Sequence, residues 1–151
     1  MDFPGPKRRY TEFNSTRKGD ISESVIISRL LACGYEILRP VGNSSRYDLV
    51  IEDADGKFWR VQCKTGRLFE RGNSIAFATS SRHYHLRAKE GVSRSKTYYG
   101  QAEYFAVYCP DTRSVYLVPV DHAGASQMNL RLVPTKNNQE KNVRWAKDYE
   151  I

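Results

Sequence analysis

Apolar and polar positions follow two different periods along this chain. Between Lys18 and Cys33, Ile21, Val25, Ile26, Ile27, Leu30, Leu31 and Ala32 recur at helical spacing, and Gly34 stands where a helix C-cap is favoured. The spacing predicts a helix over 18–33. Its polar positions are few and mostly small (Ser22, Ser24, Ser28, Arg29), which reads as a helix buried nearly all round. Downstream the period changes to two. "YEILRP" is a short strand stopped by Pro40, and "VGNSS" is a loop. "RYDLVIE" and "KFWRVQCKT" are strands joined by "DADG"; "NSIAFATS", "EYFAVYC", "VYLVPV" and "LRLVP" are further strands. The basic stretch from Ser80 to Lys96 is read as partly helical. A helix, then strands, then mixed elements predict an α/β (α+β) domain: a central mixed sheet with a buried N-terminal helix.

The register of the first hairpin can be chosen by testing loop lengths. A two-residue loop, Asp55-Gly56, sets Ile51 against Arg60 and Leu49 against Gln62. A three-residue loop, Ala54-Asp55-Gly56, puts Gly56 where a left-handed backbone is wanted. It opposes Ile51 to Trp59, Leu49 to Val61 and Tyr47 to Cys63, a consistent apolar face. The other face then pairs Val50 with Arg60, Asp48 with Gln62 and Arg46 with Lys64. Asp48 and Lys64 become diagonal neighbours, roughly 7–8 Å apart.

The chain has 151 residues, enough for one domain with a real core. Residues 1–15 read as a flexible basic arm, with Pro4, Gly5 and Pro6 before Lys7, Arg8 and Arg9; residues 16–151 read as a single domain. Lys plus Arg number 24 against 17 Asp plus Glu, a net charge of +7, which suits a polyanionic partner such as nucleic acid. Cys33, Cys63 and Cys109 form no CxxC pair, which argues against a zinc ribbon; they read as reduced core thiols. No apolar run reaches a membrane-spanning length, and the first residues lack the apolar stretch of a signal peptide. The expectation is a soluble, cytoplasmic protein with no membrane partner.

The candidate chemistry is acidic and basic at once. On a helical wheel Glu23 falls between Leu30 and Ile27, and a carboxylate facing a core is costly unless paired or metal-bound. The simpler reading places it in the first helical turn, where the dipole favours it. Asp48, Gln62 and Lys64 share the polar face of the hairpin, and a solvated cross-strand cluster is the simpler reading there.

Glu in a first helix, Asp in a strand and Gln-x-Lys in the next strand resemble the PD-(D/E)XK nuclease superfamily. More narrowly, "KGDISE", "RPVGNSSRYDLVI", "RVQCKT", "YFAVYCPDT", "VYLVPVD" and "NNQEKNVRWAKDYE" resemble its group I intron-associated, homing-type endonucleases. These pieces cover most of the chain from Lys18 to Glu150. Tyr47 stands where Pro usually precedes the Asp, and Gln62 stands where a second acid is usual. The homing-type branch is similar in using Gln there. The resemblance implies a single PD-(D/E)XK-like domain that hydrolyses DNA phosphodiester bonds with Mg²⁺ or Mn²⁺. It implies Glu23, Asp48, Gln62 and Lys64 as catalytic residues. Asp48, Glu23 and the backbone carbonyl of Cys63 would be the metal ligands. Carboxylates near Lys64 favour its charged form, so orientation of water or phosphate fits it better than general base. Gln62, neutral, would orient water or Lys64.

"SSRHYHLRAKEGVSRSKTYYGQ" carries Arg82, Arg87, Lys89, Arg94 and Lys96 against Glu90, interleaved with Tyr84, Tyr98 and Tyr99. Such segments suit DNA-backbone contact, and a solvated basic face is the simpler reading. Arg46 is expected to meet a phosphate or a carboxylate. His83 and His85 lack a third ligand and are not read as a metal pair. The leading expectation is a divalent-metal-dependent endonuclease acting on double-stranded DNA. One candidate site per chain calls for a homodimer or higher homo-oligomer. Alternatives are a Holliday-junction resolvase or repair nuclease of the same fold, and a catalytically silent DNA-binding module.

Overall fold

Asn14 begins the first helix. Its side chain accepts the Arg17 N–H at 2.9 Å, so α1 runs over Ser15–Ala32 and starts three residues earlier than the apolar periodicity indicated. Ser15–Arg17 are polar, and only the cap reveals them as helical. At the other end Gly34 takes φ +92°, Gly34 N donates to Leu31 O, and Tyr35 N donates to Leu30 O, a Schellman closure. The computed structural model describes residues 4–5, 8–84 and 93–151.

The strands are β1 (Glu36–Leu38), β2 (Leu49–Glu52), β3 (Phe58–Thr65), β4 (Arg67–Phe69), β5 (Ser74–Ala78), β6 (Ser80–Tyr84), β7 (Ser93–Thr97), β8 (Tyr104–Cys109), β9 (Ser114–Pro119) and β10 (Gln127–Arg131). The central sheet has the order β1-β2-β3-β8-β9. Its β3–β8 pair is parallel and the other pairs are antiparallel, so the sheet is mixed. A three-stranded sheet, β10-β5-β4, and the β6–β7 pair complete the fold. This is a single α+β domain of the expected kind.

The β2–β3 register is the one the three-residue loop demands. Leu49 faces Val61, and Ile51 faces Trp59. Gly56 has φ +76°, and the Asp53 carboxylate accepts from Asp55 N, Lys57 N and Trp59 Nε1. The pairing stops at Leu49. Asp48 N donates to Val61 O, so Asp48 and Tyr47 lie just outside the regular ladder.

The central sheet carries a core on each face. Ile26 and Leu30 of α1 pack with Leu49, Ile51, Val61, Ala106 and Val115 on one side. Ile75, Phe77, Phe105, Val107, Val118 and Leu130 form the other core, under the three-stranded sheet. The helix is not buried all round. It rests on one sheet face, and Leu31 is 52% exposed. Cys33 is likewise exposed, at the helix end, whereas Cys109 is buried.

Ser80–Lys96 departs from the partly helical reading. Its described ends are the antiparallel strands β6 and β7, with Arg82 opposite Ser95 and Arg94 opposite His83. Arg87 and Lys89, with His85, Glu90 and Lys7, lie outside the described residues.

Candidate active site

Two backbone facts place the first carboxylate. The β2 ladder ends at Leu49, and β3 runs on to Thr65. Cys63 N therefore needs an acceptor that β2 does not supply, and Asp48 Oδ2 provides it at 2.7 Å. Gln62 Nε2 donates to the same oxygen at 2.6 Å and to Cys63 O at 3.3 Å. Burial pushes the Asp48 carboxyl above its ordinary range. The Cys63 N–H, Lys64, Arg39 and the Gln62 amide pull it part of the way back.

The second carboxylate comes from α1. Because the helix starts at Ser15, Glu23 sits about two turns in, beyond the first-turn position where the dipole would account for it. Its neighbour Ser22 is 1% exposed and shares a 2.6 Å hydrogen bond with Thr65, which fixes this part of the helix against the end of β3. Glu23 pairs with Arg39.

These elements meet in one cavity of about 200 Å³, lined by Gly19, Ser22, Glu23, Asp48, Cys63, Lys64 and Thr65. A neighbouring cavity of about 360 Å³ shares Glu23 and Asp48 and adds Arg39, Asn43 and Ser45 from the loop after β1. The structure thus brings Glu23, Asp48, Cys63 and Lys64 together, with Gln62 bound to Asp48 rather than to Lys64. Arg39 is the residue that sequence reasoning passed over. The signal was available: a cation ending a strand, next to a proline, just before a polar loop.

Lys64 Nζ donates to Tyr98 Oη at 3.1 Å and lies 4.5 Å from the ring centroid. Arg46 and Tyr98, both expected to face DNA, turn inward. Arg46 donates to Gln101 Oε1, Ser81 Oγ, Lys96 O and Thr97 O, and Tyr98 is 5% exposed. Tyr99 is half-exposed, with its hydroxyl on Ala123 O, and Lys96 is exposed.

The donor set suits a hard divalent cation. Among the described residues both hydrogen bonds to the Asp48 carboxylate fall on Oδ2, which leaves Oδ1 for a ligand. Glu23 and the Cys63 carbonyl supply further oxygen. Burial pushes the Cys63 thiol far up, and a hard cation prefers oxygen, so the backbone carbonyl of Cys63 suits the role better than its sulfur. Among the described residues no three His, Cys, Asp or Glu side chains cluster. Two carboxylates with a carbonyl match Mg²⁺, which relies on few protein ligands plus water and phosphate, better than they match zinc.

A family model described as PD-(D/E)XK endonuclease matches residues 13–151. No curated protein matches the chain. Among solved structures, the chain is similar to a bacterial homing endonuclease, I-Ssp6803I, with a TM-score of 0.68 and 25% sequence identity. The match covers 91% of this chain and 89% of that one.

Proposed function

The chain belongs to the PD-(D/E)XK endonuclease family, and from that premise we propose that it is a divalent-metal-dependent, homing-type DNA endonuclease. Its reacting centre is the cavity between α1 and the end of β3. The observation that supports this reading is that Glu23, Asp48, Cys63 and Lys64 line one cavity although they come from three separate segments. Asp48, Glu23 and the Cys63 carbonyl would hold Mg²⁺ or Mn²⁺, which when bound supplies charge neutralisation at phosphorus.

The chain's own residues do the rest. Gln62 holds the Asp48 carboxylate and the Cys63 carbonyl in one arrangement, so a neutral amide here orders the two ligand groups. Lys64 offers an ammonium to the attacking water or the scissile phosphate oxygen. Lys96 and Tyr99, both exposed, would contact double-stranded DNA, and the strands β6 and β7 add the basic sequence positions Arg82 and Arg94. With one reacting centre per chain, cutting both strands requires two copies, so the working unit is a homodimer or larger.

Plasmid cleavage in Mg²⁺ or Mn²⁺ tests the proposal. Wild type is expected to nick or linearise DNA, and Asp48→Ala and Lys64→Ala to be inactive. Activity that survives both substitutions rejects this site. DNA binding without cleavage in either metal identifies a silent binding module in which Gln62 replaced the second acid. Cleavage of four-way junctions but of no duplex identifies a resolvase.

A further inference from the structure

Tyr98 accepts a hydrogen bond from the Lys64 ammonium, and the nuclease reading alone gives it no task. It follows β7 directly, is 5% exposed, and meets the buried Phe105 ring edge-on at 5.5 Å. Its hydroxyl takes the Lys64 ammonium at 3.1 Å, and its ring lies 4.5 Å from that nitrogen. Arg46 covers the same ring at 4.1 Å. All three guanidinium nitrogens of Arg46 donate to protein oxygens, two of them the Lys96 and Thr97 carbonyls just before Tyr98. The tyrosine is thus fixed by the core on one side and by a fully engaged arginine.

We infer that Tyr98 is a positioning residue for Lys64: it holds the ammonium out of the carboxylate pair and aimed into the cavity. A lysine on a flexible four-carbon stem beside two carboxylates tends to collapse into an ion pair. Lys64 lines the cavity with Glu23 and Asp48, yet among the described residues it forms an ion pair with neither. Its partners are the phenol oxygen and the ring face, which together offer a hydrogen bond and a cation–π contact without neutralising the charge. The ammonium then remains available for phosphate. This rests on the nuclease reading of Lys64, and it assigns Arg46 to placing Tyr98 rather than to DNA.

Tyr98→Phe removes the hydroxyl and keeps the ring. Under single-turnover conditions in Mg²⁺, the plasmid-nicking rate constant is expected to fall about tenfold to a hundredfold. The Kd for duplex DNA should stay within about twofold, since Tyr98 is buried. Arg46→Gln should also lower the rate more than the affinity; a DNA contact would instead weaken binding and flatten its salt dependence. Independently of cleavage, the Lys64 ¹⁵Nζ ammonium resonance, identified by its loss in Lys64→Arg, is expected to be observable in wild type and broadened in Tyr98→Phe. An unchanged nicking rate, a loss confined to DNA affinity, or an unchanged ammonium signal overturns the inference. If wild type cuts no DNA, the nuclease reading falls and the ammonium signal alone decides the role of Tyr98. Should Tyr98→Phe fail to fold, Arg46→Gln is read by the same two measurements, with the same outcomes deciding.

Discussion

Two carboxylates accept a backbone N–H from β3 at 2.7 Å, and their chemistry diverges from that common start. Glu103 takes Arg60 N near the beginning of the strand, and Asp48 takes Cys63 N near its end. The Arg60 guanidinium also grips Glu103, and it pulls that carboxyl below its ordinary range although partial burial opposes it. Among the described residues Asp48 has no such dedicated cation. Its burial outweighs its hydrogen bonds and the charges of Lys64 and Arg39, and its carboxyl is pushed up. A backbone contact therefore does not determine whether a carboxylate helps the fold. The presence of a committed cation does. Glu103 has its partner built in, whereas Asp48 is buried without an ion pair among the described residues, at a cost to the folded state.

The largest expected consequence is at Asp48. Asp48→Asn keeps an oxygen for Cys63 N and Gln62 Nε2 but loses the charge. DNA cleavage in Mg²⁺ should drop on the order of a thousandfold, while the Tm stays level or rises. A marked fall in Tm would place Asp48 with Glu103 as a structural group.

Gly66 tests the strand that both carboxylates share. A Cβ there would sit 2.9 Å from Ile75 Cγ2 and 3.1 Å from Val107 Cγ1, both in the packed core between the sheets. Gly66→Ala is expected to destabilise the protein by about 1–3 kcal/mol, read by urea denaturation. A neutral result would mean that the strand exit is loosely packed.

The smallest effect belongs to Glu103. Glu103→Gln should lower stability by about 1 kcal/mol at neutral pH and leave the cleavage rate within about twofold. A carboxyl pulled down on folding stabilises the protein above its unfolded pKa, and that contribution is lost as pH falls through the folded value. The gap between wild type and variant should thus be full at neutral pH and close in acid. A gap that widens in acid would contradict the assignment.

The hairpin was legible in the sequence because its signals are local. A turn glycine, an alternating strand and one loop length leave a single register with a consistent apolar face, and Asp48 follows from it. The cavity partners were legible only as residue types in order, because α1 meets β3 through contacts far apart in the chain. Other features had no local mark. The start of α1 depends on the Asn14 cap. β4 is exposed along its length and shows no alternation. The Ser80–Lys96 stretch lacks an apolar stripe of either period. The inward turn of Arg46 depends on Gln101 and Ser81, partners that spacing does not reveal.

The bond between Ser22 and Thr65 bears on precision more than on strength. Greasy contact between a helix and a sheet tolerates sliding, because one aliphatic neighbour serves nearly as well as the next. A hydroxyl pair does not, since its geometry lapses within an ångström of travel. These two residues directly adjoin Glu23 and Lys64, so the pair acts as a locating pin that sets the spacing across the cavity all four line.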